Sequence, residues 1–289
     1  MRLEGPSAAI RQGFPEQLDV LMAIVTDFGG TEFLVVILAL LFWLTRRKET
    51  ATAVAYAVAG GALIIALKAF LDLPRPPAEV WVIEYDSDPH GFPSGHAFIS
   101  TVVYGGLLYK FDQLENSLAA GGAVGIIALV SLSRVVLGLH YLGDVLVGAV
   151  LGVAFLAVMI TTVGVNIRGG FVISVATAIA AVAIAGPEIA DVWILLGFAL
   201  GGVVAAPKVA DLPALRSRLE AIVVTLAGLV VLITGILAAG VVTELEPAIL
   251  SIGLSVGLFA GMLIAIMLIP AAIGRIEHPR LEAPAPGRN

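Results

Sequence analysis

The chain has 289 residues, 59% hydrophobic and only 13% charged, with a net charge of -6. A soluble domain carries about a quarter charged residues, so this balance, spread over many long apolar runs, excludes a soluble core and implies a polytopic membrane protein. The acidic balance argues against nucleic acid as a partner, and the absence of cysteine excludes disulfides and thiolate metal sites.

Residues 1–13 lack the basic stretch before an apolar core that marks a cleaved signal peptide. Residues 14–28 place Leu18, Leu21, Met22, Val25 and Phe28 at helical spacing, interrupted by Glu16, Asp19 and Asp27. This pattern predicts an amphipathic interfacial helix, with a short span as the alternative. After Gly29-Gly30, apolar runs follow at 31–45, 51–71, 94–109, 118–132 and 141–165, then at 170–185, 192–206, 221–242 and 248–270. Nine spans are expected, several reaching into their loops to attain the ~20 residues that a crossing needs. None alternates apolar with polar residues as a membrane barrel must, so the fold class is an all-α bundle. The 32 glycines allow close helix approach.

Four units are expected: an N-terminal segment 1–30, a membrane core 31–166, additional C-terminal spans 167–270 and a polar tail 271–289. Thr45-Arg46-Arg47-Lys48 follows the first span and assigns that side to the cytoplasm. Alternation then brings Lys110, Arg168, Lys208, Arg216, Arg218, Arg275 and Arg280 to the same side. The opposite side receives mostly acids, in 72–90, 187–191 and 244–246, and after the first span its cations are Lys68, Arg75 and Arg134.

Those three cations belong to three polar blocks at one end of the bundle. Lys68 ends the second span and Arg75 precedes Pro76 in a proline-rich turn. A compact ammonium and a planar guanidinium together suit phosphate oxygens, although alone they also fit snorkelling to lipid headgroups. Pro93-Ser94-Gly95-His96 opens the third span. Ser94 can cap that helix, and the free amides at Gly95 with the helix dipole form an anion site. His96 stands where it can give a proton to a leaving oxygen. An ordinary N-cap with an interfacial histidine is the plainer reading. Ser133-Arg134 closes the fourth span, and His140 and Asp144 open the fifth, four residues apart on one helix face. A carboxylate so placed can take the imidazole N–H and leave the other nitrogen free to attack. His90 reads as a solvated loop residue or a lining of the entrance, and His278 as an unrelated tail residue.

Lys68-x6-Arg75-Pro76, Pro93-Ser94-Gly95-His96 and Ser133-Arg134-x5-His140-x3-Asp144 resemble the three-part signature of the type 2 phosphatidic acid phosphatase superfamily, which also contains the vanadium haloperoxidases. The resemblance covers residues 51–165. It implies that Lys68, Arg75 and Arg134, with Ser94 and the Gly95 amide, hold the phosphoryl oxygens. It further implies that His140 is the nucleophile of a phosphohistidine, Asp144 orients it, and His96 protonates the leaving group and then activates water. No metal and no cofactor are implied, since the cations take the part that Mg²⁺ plays in other phosphoryl transfers.

The expected activity is hydrolysis of a membrane lipid phosphate or diphosphate: a polyprenyl diphosphate, favoured slightly, phosphatidic acid or phosphatidylglycerophosphate. The alternatives are a phosphotransferase with an alcohol acceptor, and a lipid transporter without hydrolysis. The last expects ionisable residues in mid-span, and the spans after Gly170 contain almost none. Those spans are expected to form a groove for the lipid tail or a surface for self-association. The site is expected on the extracytoplasmic face.

Overall fold

The computed structural model describes residues 2–84, 88–243, 245 and 248–276. His278, Arg280, Glu244 and Glu246 lie outside the described residues, as does most of the 271–289 tail. The described chain forms eleven α-helices: α1 Glu4–Gly13, α2 Asp19–Asp27, α3 Thr31–Leu44, α4 Arg47–Leu71, α5 Gly95–Lys110, α6 Ser117–Val136, α7 Leu142–Thr162, α8 Ile167–Ala185, α9 Ala190–Val209, α10 Arg218–Thr243 and α11 Ala248–Gly274. Among the described residues there is no strand, only an isolated pairing of Pro74 with His90. The all-α reading holds.

Each of the nine apolar runs is a helix. Seven of these are long and apolar enough to cross a membrane, or eight if the pair of helices bent by 50° between Asp27 and Thr31 counts as one span. The expected nine is therefore high by length alone, because α3 has 14 residues and α5 has 16. At 1.5 Å per residue, α5 is about 24 Å long, thinner than the ~30 Å hydrocarbon layer.

The ends of the helices nevertheless alternate between two faces. At one face, Arg46 pairs with Asp112 at 3.0 Å, Lys110 donates to the Gly164 carbonyl, and Arg47 donates to the Pro213 carbonyl. Arg216 joins the same face through Glu220 at 3.1 Å and the Ile273 carbonyl. At the other face lie the last turn of α4, the start of α5, the end of α6 and the start of α7. The expected interfacial helix is a 3₁₀ turn at Glu16–Leu18 followed by α2, and its Thr26 is buried against the end of α6.

Small residues set the helix spacing, as membrane bundles need. A Cβ at Gly148 would stand 2.5 Å from the Ser94 carbonyl, and one at Gly152 would stand 2.8 Å from Thr101. These two glycines bring α7 against α5. Gly197 and Gly201 do the same for α9 against the backbone of α11, at 2.7 and 2.4 Å. The C-terminal helices do not stand apart. Their largest apolar cluster runs from Phe42, Trp43, Ala51 and Ala55 to Phe171, Ala205, Phe259 and Ile266. Trp43 Nε1 donates to the Ile266 carbonyl at 2.9 Å and Ser174 Oγ to the Ala55 carbonyl at 3.0 Å. One core thus holds α3 and α4 together with α8 to α11.

Candidate active site

The three polar blocks converge at one end of the bundle. Lys68 lies in the last turn of α4, which stops at Asp72 in a left-handed conformation, φ 45°. The chain then turns back, and Gly91 N donates to the Leu73 carbonyl at 2.6 Å. This return brings Arg75 beside Asp88 and beneath the 137–140 turn. Arg75 Nε donates to the Asp88 carbonyl at 2.6 Å, and Nη1 donates to the Leu139 carbonyl at 3.1 Å.

Ser94 caps α5 by accepting from the Ala97 amide at 3.5 Å, and its own amide donates to the Asp144 carbonyl at 3.0 Å. The starts of α5 and α7 are therefore tied by backbone. Gly95 faces Lys68: a Cβ there would lie 4.0 Å from Nζ. The start of a 16-residue helix and a lysine thus lie side by side, which favours an anion. His96 follows on α5 with its ring edge against Gly29, and Arg134, His140, Lys68 and Arg75 are all near enough to act on it electrostatically.

Arg134 is buried at the end of α6, with Nη1 donating to Thr26 Oγ1 at 3.0 Å. Its carbonyl accepts from the amides of both Leu139 and His140 at 3.1 Å. The tight turn between them needs Gly138, which has φ 75° and would place a Cβ 2.0 Å from the Val80 carbonyl. No other residue type fits that conformation and that contact. Gly138 is a site-forming residue that the motif spacing alone did not reveal.

His140 is 1% exposed, and its two neighbours fix its tautomer. Arg75 Nη1 lies 3.1 Å from Nε2, and an arginine can only donate, so Nε2 accepts. The Gly91 carbonyl lies 2.7 Å from Nδ1 and can only accept, so Nδ1 carries the hydrogen. The nitrogen with the free pair is thus Nε2, turned toward the cations. Burial, and then the charges of Arg134, Arg75 and Lys68, push the imidazole well below the ordinary histidine pKa. It remains neutral at neutral pH.

Asp144 departs from its expected part. His140 precedes α7 instead of lying on it, and the carboxylate Oδ2 stands 3.6 Å from Nδ1, beyond hydrogen-bond range. Asp144 caps the helix by accepting from the Tyr141 amide at 2.8 Å. Its two oxygens also take Arg2 Nε and Nη2, each at 2.7 Å. The hydrogen bond expected from Asp144 is supplied by Gly91. Arg2 and Gly91 had no signal in the motif pattern, because each meets its partner across a long stretch of chain, 142 and 49 residues respectively.

Asp88 is the other unexpected member. Its carboxylate pairs with Lys68 Nζ and lies 3.5 Å from Arg75 Nη2, so an internal anion occupies the cations proposed for phosphate. His90 supports it: the His90 amide and Nδ1 lie 2.9 and 3.1 Å from Asp88 Oδ1, and Nε2 lies 3.4 Å from Asp72. His90 is a partly buried brace and not the solvated residue expected. Burial pushes the Asp88 carboxyl up, but Lys68, the His90 amide and Arg75 outweigh it and hold the group below the usual carboxylate range. Among the described residues, no group of three or more His, Asp or Glu side chains is arranged to hold a metal ion.

Residues 49–168 match the model of the PAP2 superfamily. The matched segment runs from within α4 to the first two residues of α8 and contains all eight candidate site residues, while the rest of α8 and α9 to α11 lie beyond it. A crystal structure of the first transmembrane PAP2 type phosphatidylglycerolphosphate phosphatase from Bacillus subtilis is similar to this chain, at 23% identity over 53% of this chain and 79% of that one, with a TM-score of 0.44. No curated protein matches the chain.

Proposed function

We propose that this protein is an integral membrane phosphatase that hydrolyses a lipid phosphate or diphosphate through a phosphohistidine. The observation that carries the reading is the arrangement around His140: a neutral, tautomer-fixed imidazole whose Nε2 faces Arg75, with Lys68, Arg134 and the start of α5 around the same space. The PAP2 match over these residues supports it.

The chemistry follows from the geometry. A phosphoryl group entering the cage takes Lys68, Arg75, Arg134, the Ser94 hydroxyl and the Gly95 amide onto its oxygens. Arg75 leaves Nε2 for the phosphate, which frees the lone pair. Nε2 then forms a bond to phosphorus as the bond to the leaving oxygen breaks, and His96, protonated once the phosphate's negative charge stands among the cations, gives that oxygen a proton. The positive charge on the phosphorylated ring is shared with the Gly91 carbonyl at Nδ1 and with the nearby Asp144 carboxylate. Water attacks next, His96 takes its proton, the N–P bond breaks and inorganic phosphate leaves. Fixed cations stabilise the charge on the transferring group without reorganisation, which is how such sites gain rate.

A headgroup reaches this site at the membrane surface while its tail stays in the bilayer. The face opposite the site carries Arg46, Arg47, Lys48, Lys110 and Arg216, and basic loops remain cytoplasmic. The site accordingly faces the extracytoplasmic side. The test is phosphate release by purified protein in detergent from phosphatidic acid, phosphatidylglycerophosphate and a polyprenyl diphosphate, with no alcohol acceptor present. Release from at least one is expected. Release from none of them, with transfer only when an alcohol is added, would replace hydrolysis by phosphotransfer.

A further inference from the structure

We propose that Arg2 is a positioning residue of this site, holding Asp144 away from His140 so that the histidine keeps its hydrogen bond to Gly91 and its attacking nitrogen toward the cage. This inference rests on the phosphatase reading for its consequence, but its geometry stands independently.

The Arg2 guanidinium forms a two-point fork on Asp144, with Nε and Nη2 each 2.7 Å from a carboxylate oxygen. Such a paired geometry is the strongest and most directional that arginine makes. The third donor, Nη1, reaches the Pro74 carbonyl at 2.6 Å, directly before Arg75. Its Cζ lies over the Tyr141 ring, 4.7 Å from the ring centre, so the group is held from the ring side as well as at its edge. One side chain therefore touches Asp144 and the Arg75 turn, and its Nη2 fills the space beside Gly91, where a Cβ would stand 2.8 Å from it.

The rest of the N-terminal segment secures this placement. The Gly143 amide donates to the Arg2 carbonyl at 3.0 Å, and a Cβ on Gly143 would lie 2.8 Å from the Arg2 backbone. The Leu142 amide donates to Ser7 Oγ at 2.8 Å, and Ser7 is fully buried. Ile10 and Leu142 pack against the cluster of Ala97, Val135 and Val145. The segment is docked over the start of α7.

The charges facing His140 are Lys68 from α4, Arg75 from the following loop, Arg134 from α6, and Asp144 from α7, with His96 from α5; Asp88 engages Lys68 and Arg75. Asp144 is the nearest anion and Arg2 is what neutralises it. Without Arg2, a buried carboxylate 3.6 Å from Nδ1 has no fork to satisfy it and draws the imidazole N–H from Gly91. The ring would then rotate, Nε2 would leave its line with Arg75, and the histidine would hold a proton more tightly.

The experiment is a histidine-labelled NMR titration of the full chain in detergent, with His140 assigned by its loss in His140→Gln. Wild type is compared with Arg2→Gln and Arg2→Lys. Arg2→Gln is expected to raise proton affinity at His140 about tenfold, and Arg2→Lys, which restores the charge without the fork, to reverse part of that rise. On an active substrate, Arg2→Gln should lower kcat about ten- to a hundredfold with KM changed less than threefold. An unchanged His140 titration in folded Arg2→Gln would overturn the proposal, as would a rise in KM alone. Should Arg2→Gln not fold, the Arg2→Lys titration decides: a shifted His140 supports the proposal and an unshifted one refutes it. The titration needs no substrate, so a failure of the phosphatase reading would leave it intact and recognisable.

Discussion

Replacing Asp88 by asparagine should tighten the binding of phosphate-like anions. Asparagine keeps the shape and the hydrogen bond from the His90 amide, and it removes the charge that now engages Lys68 and Arg75. The Asp88 side chain is 29% exposed, and those of Lys68 and Arg75 are 10% and 4% exposed. Solvent therefore screens the pairs in part, and each contributes about 0.5–1 kcal/mol. An incoming anion must displace both, so their loss is expected to improve its binding by about 1–2 kcal/mol, or about fivefold to thirtyfold. The assay is calorimetric or competitive binding of inorganic vanadate and phosphate to wild type and Asp88→Asn at one ionic strength, because salt weakens these interactions. Acidity offers a check on sign. Asp88 is held below the usual carboxylate range, so its charge is fully present above that range and is lost only as pH falls through the lower folded value. Wild type should thus gain no affinity between neutral pH and the ordinary carboxylate range. Equal or weaker anion binding by folded Asp88→Asn would refute the reasoning, because it would mean that Asp88 does not compete for the cage.

His140→Ala should abolish turnover with thermal unfolding unchanged, while His96→Ala should stall departure of the leaving group; activity retained by either, in a phosphate-release assay, would contradict the roles given. Activity is expected to persist in excess EDTA, and its loss, restored by a divalent ion, would point to a metal. Because His140 is held well below the ordinary histidine value of about 6.5, the acid limb of kcat/KM should fall below that pH. The same shift makes the unfolded chain take up a proton that the native one refuses, so denaturation experiments should show stability declining as pH drops from about 6.5. Gly148→Leu puts a side chain where even a Cβ would meet the Ser94 carbonyl at 2.5 Å, and should cost about 1–3 kcal/mol of stability while displacing the start of α5; an unchanged Tm would oppose this packing.

The parts of the site that sequence revealed are those with short-range signatures. Lys68, Arg75, Ser94, Gly95, His96, Arg134, His140 and Asp144 occur in blocks whose spacing survives folding, and the structure gathers all of them at one end of the bundle. What spacing did not convey was the partner of each group. An interval of four predicts a helical face, yet Tyr141 is the N-cap of α7, so His140 precedes the helix and Asp144 turns to cap it. Arg2 and Asp88 come from segments whose composition looks like ordinary polar surface. Their roles arise from chain return, through Gly91 to Leu73 and Gly143 to Arg2, which no local pattern encodes. The span count erred for a related reason: hydropathy marks α3 and α5 as apolar, but their lengths are set by the Gly29-Gly30 break and by the Ser94 cap.

The helices beyond the matched segment pack against α4. This helix is rich in alanine and buried on opposite faces, with Ala51, Ala55, Ala62 and Ala66 along one and Ala53 and Ile64 along the other. On one side, a Cβ at Gly60 would lie 3.1 Å from Phe98 of α5 and 3.2 Å from Phe155 of α7. On the other, a Cβ at Gly61 would meet Leu195 of α9 at 3.3 Å, and Ser174 of α8 bonds to the Ala55 carbonyl. A helix apolar all round is suited to the interior of a bundle and not to its lipid boundary. With α8 and α9 in place, α4 has protein on both sides, and Lys68 projects from a helix that shares one cluster with α5 and α7 and others with α8 to α11. The C-terminal helices therefore support the helix that carries Lys68, by replacing mobile lipid with close-packed side chains along it.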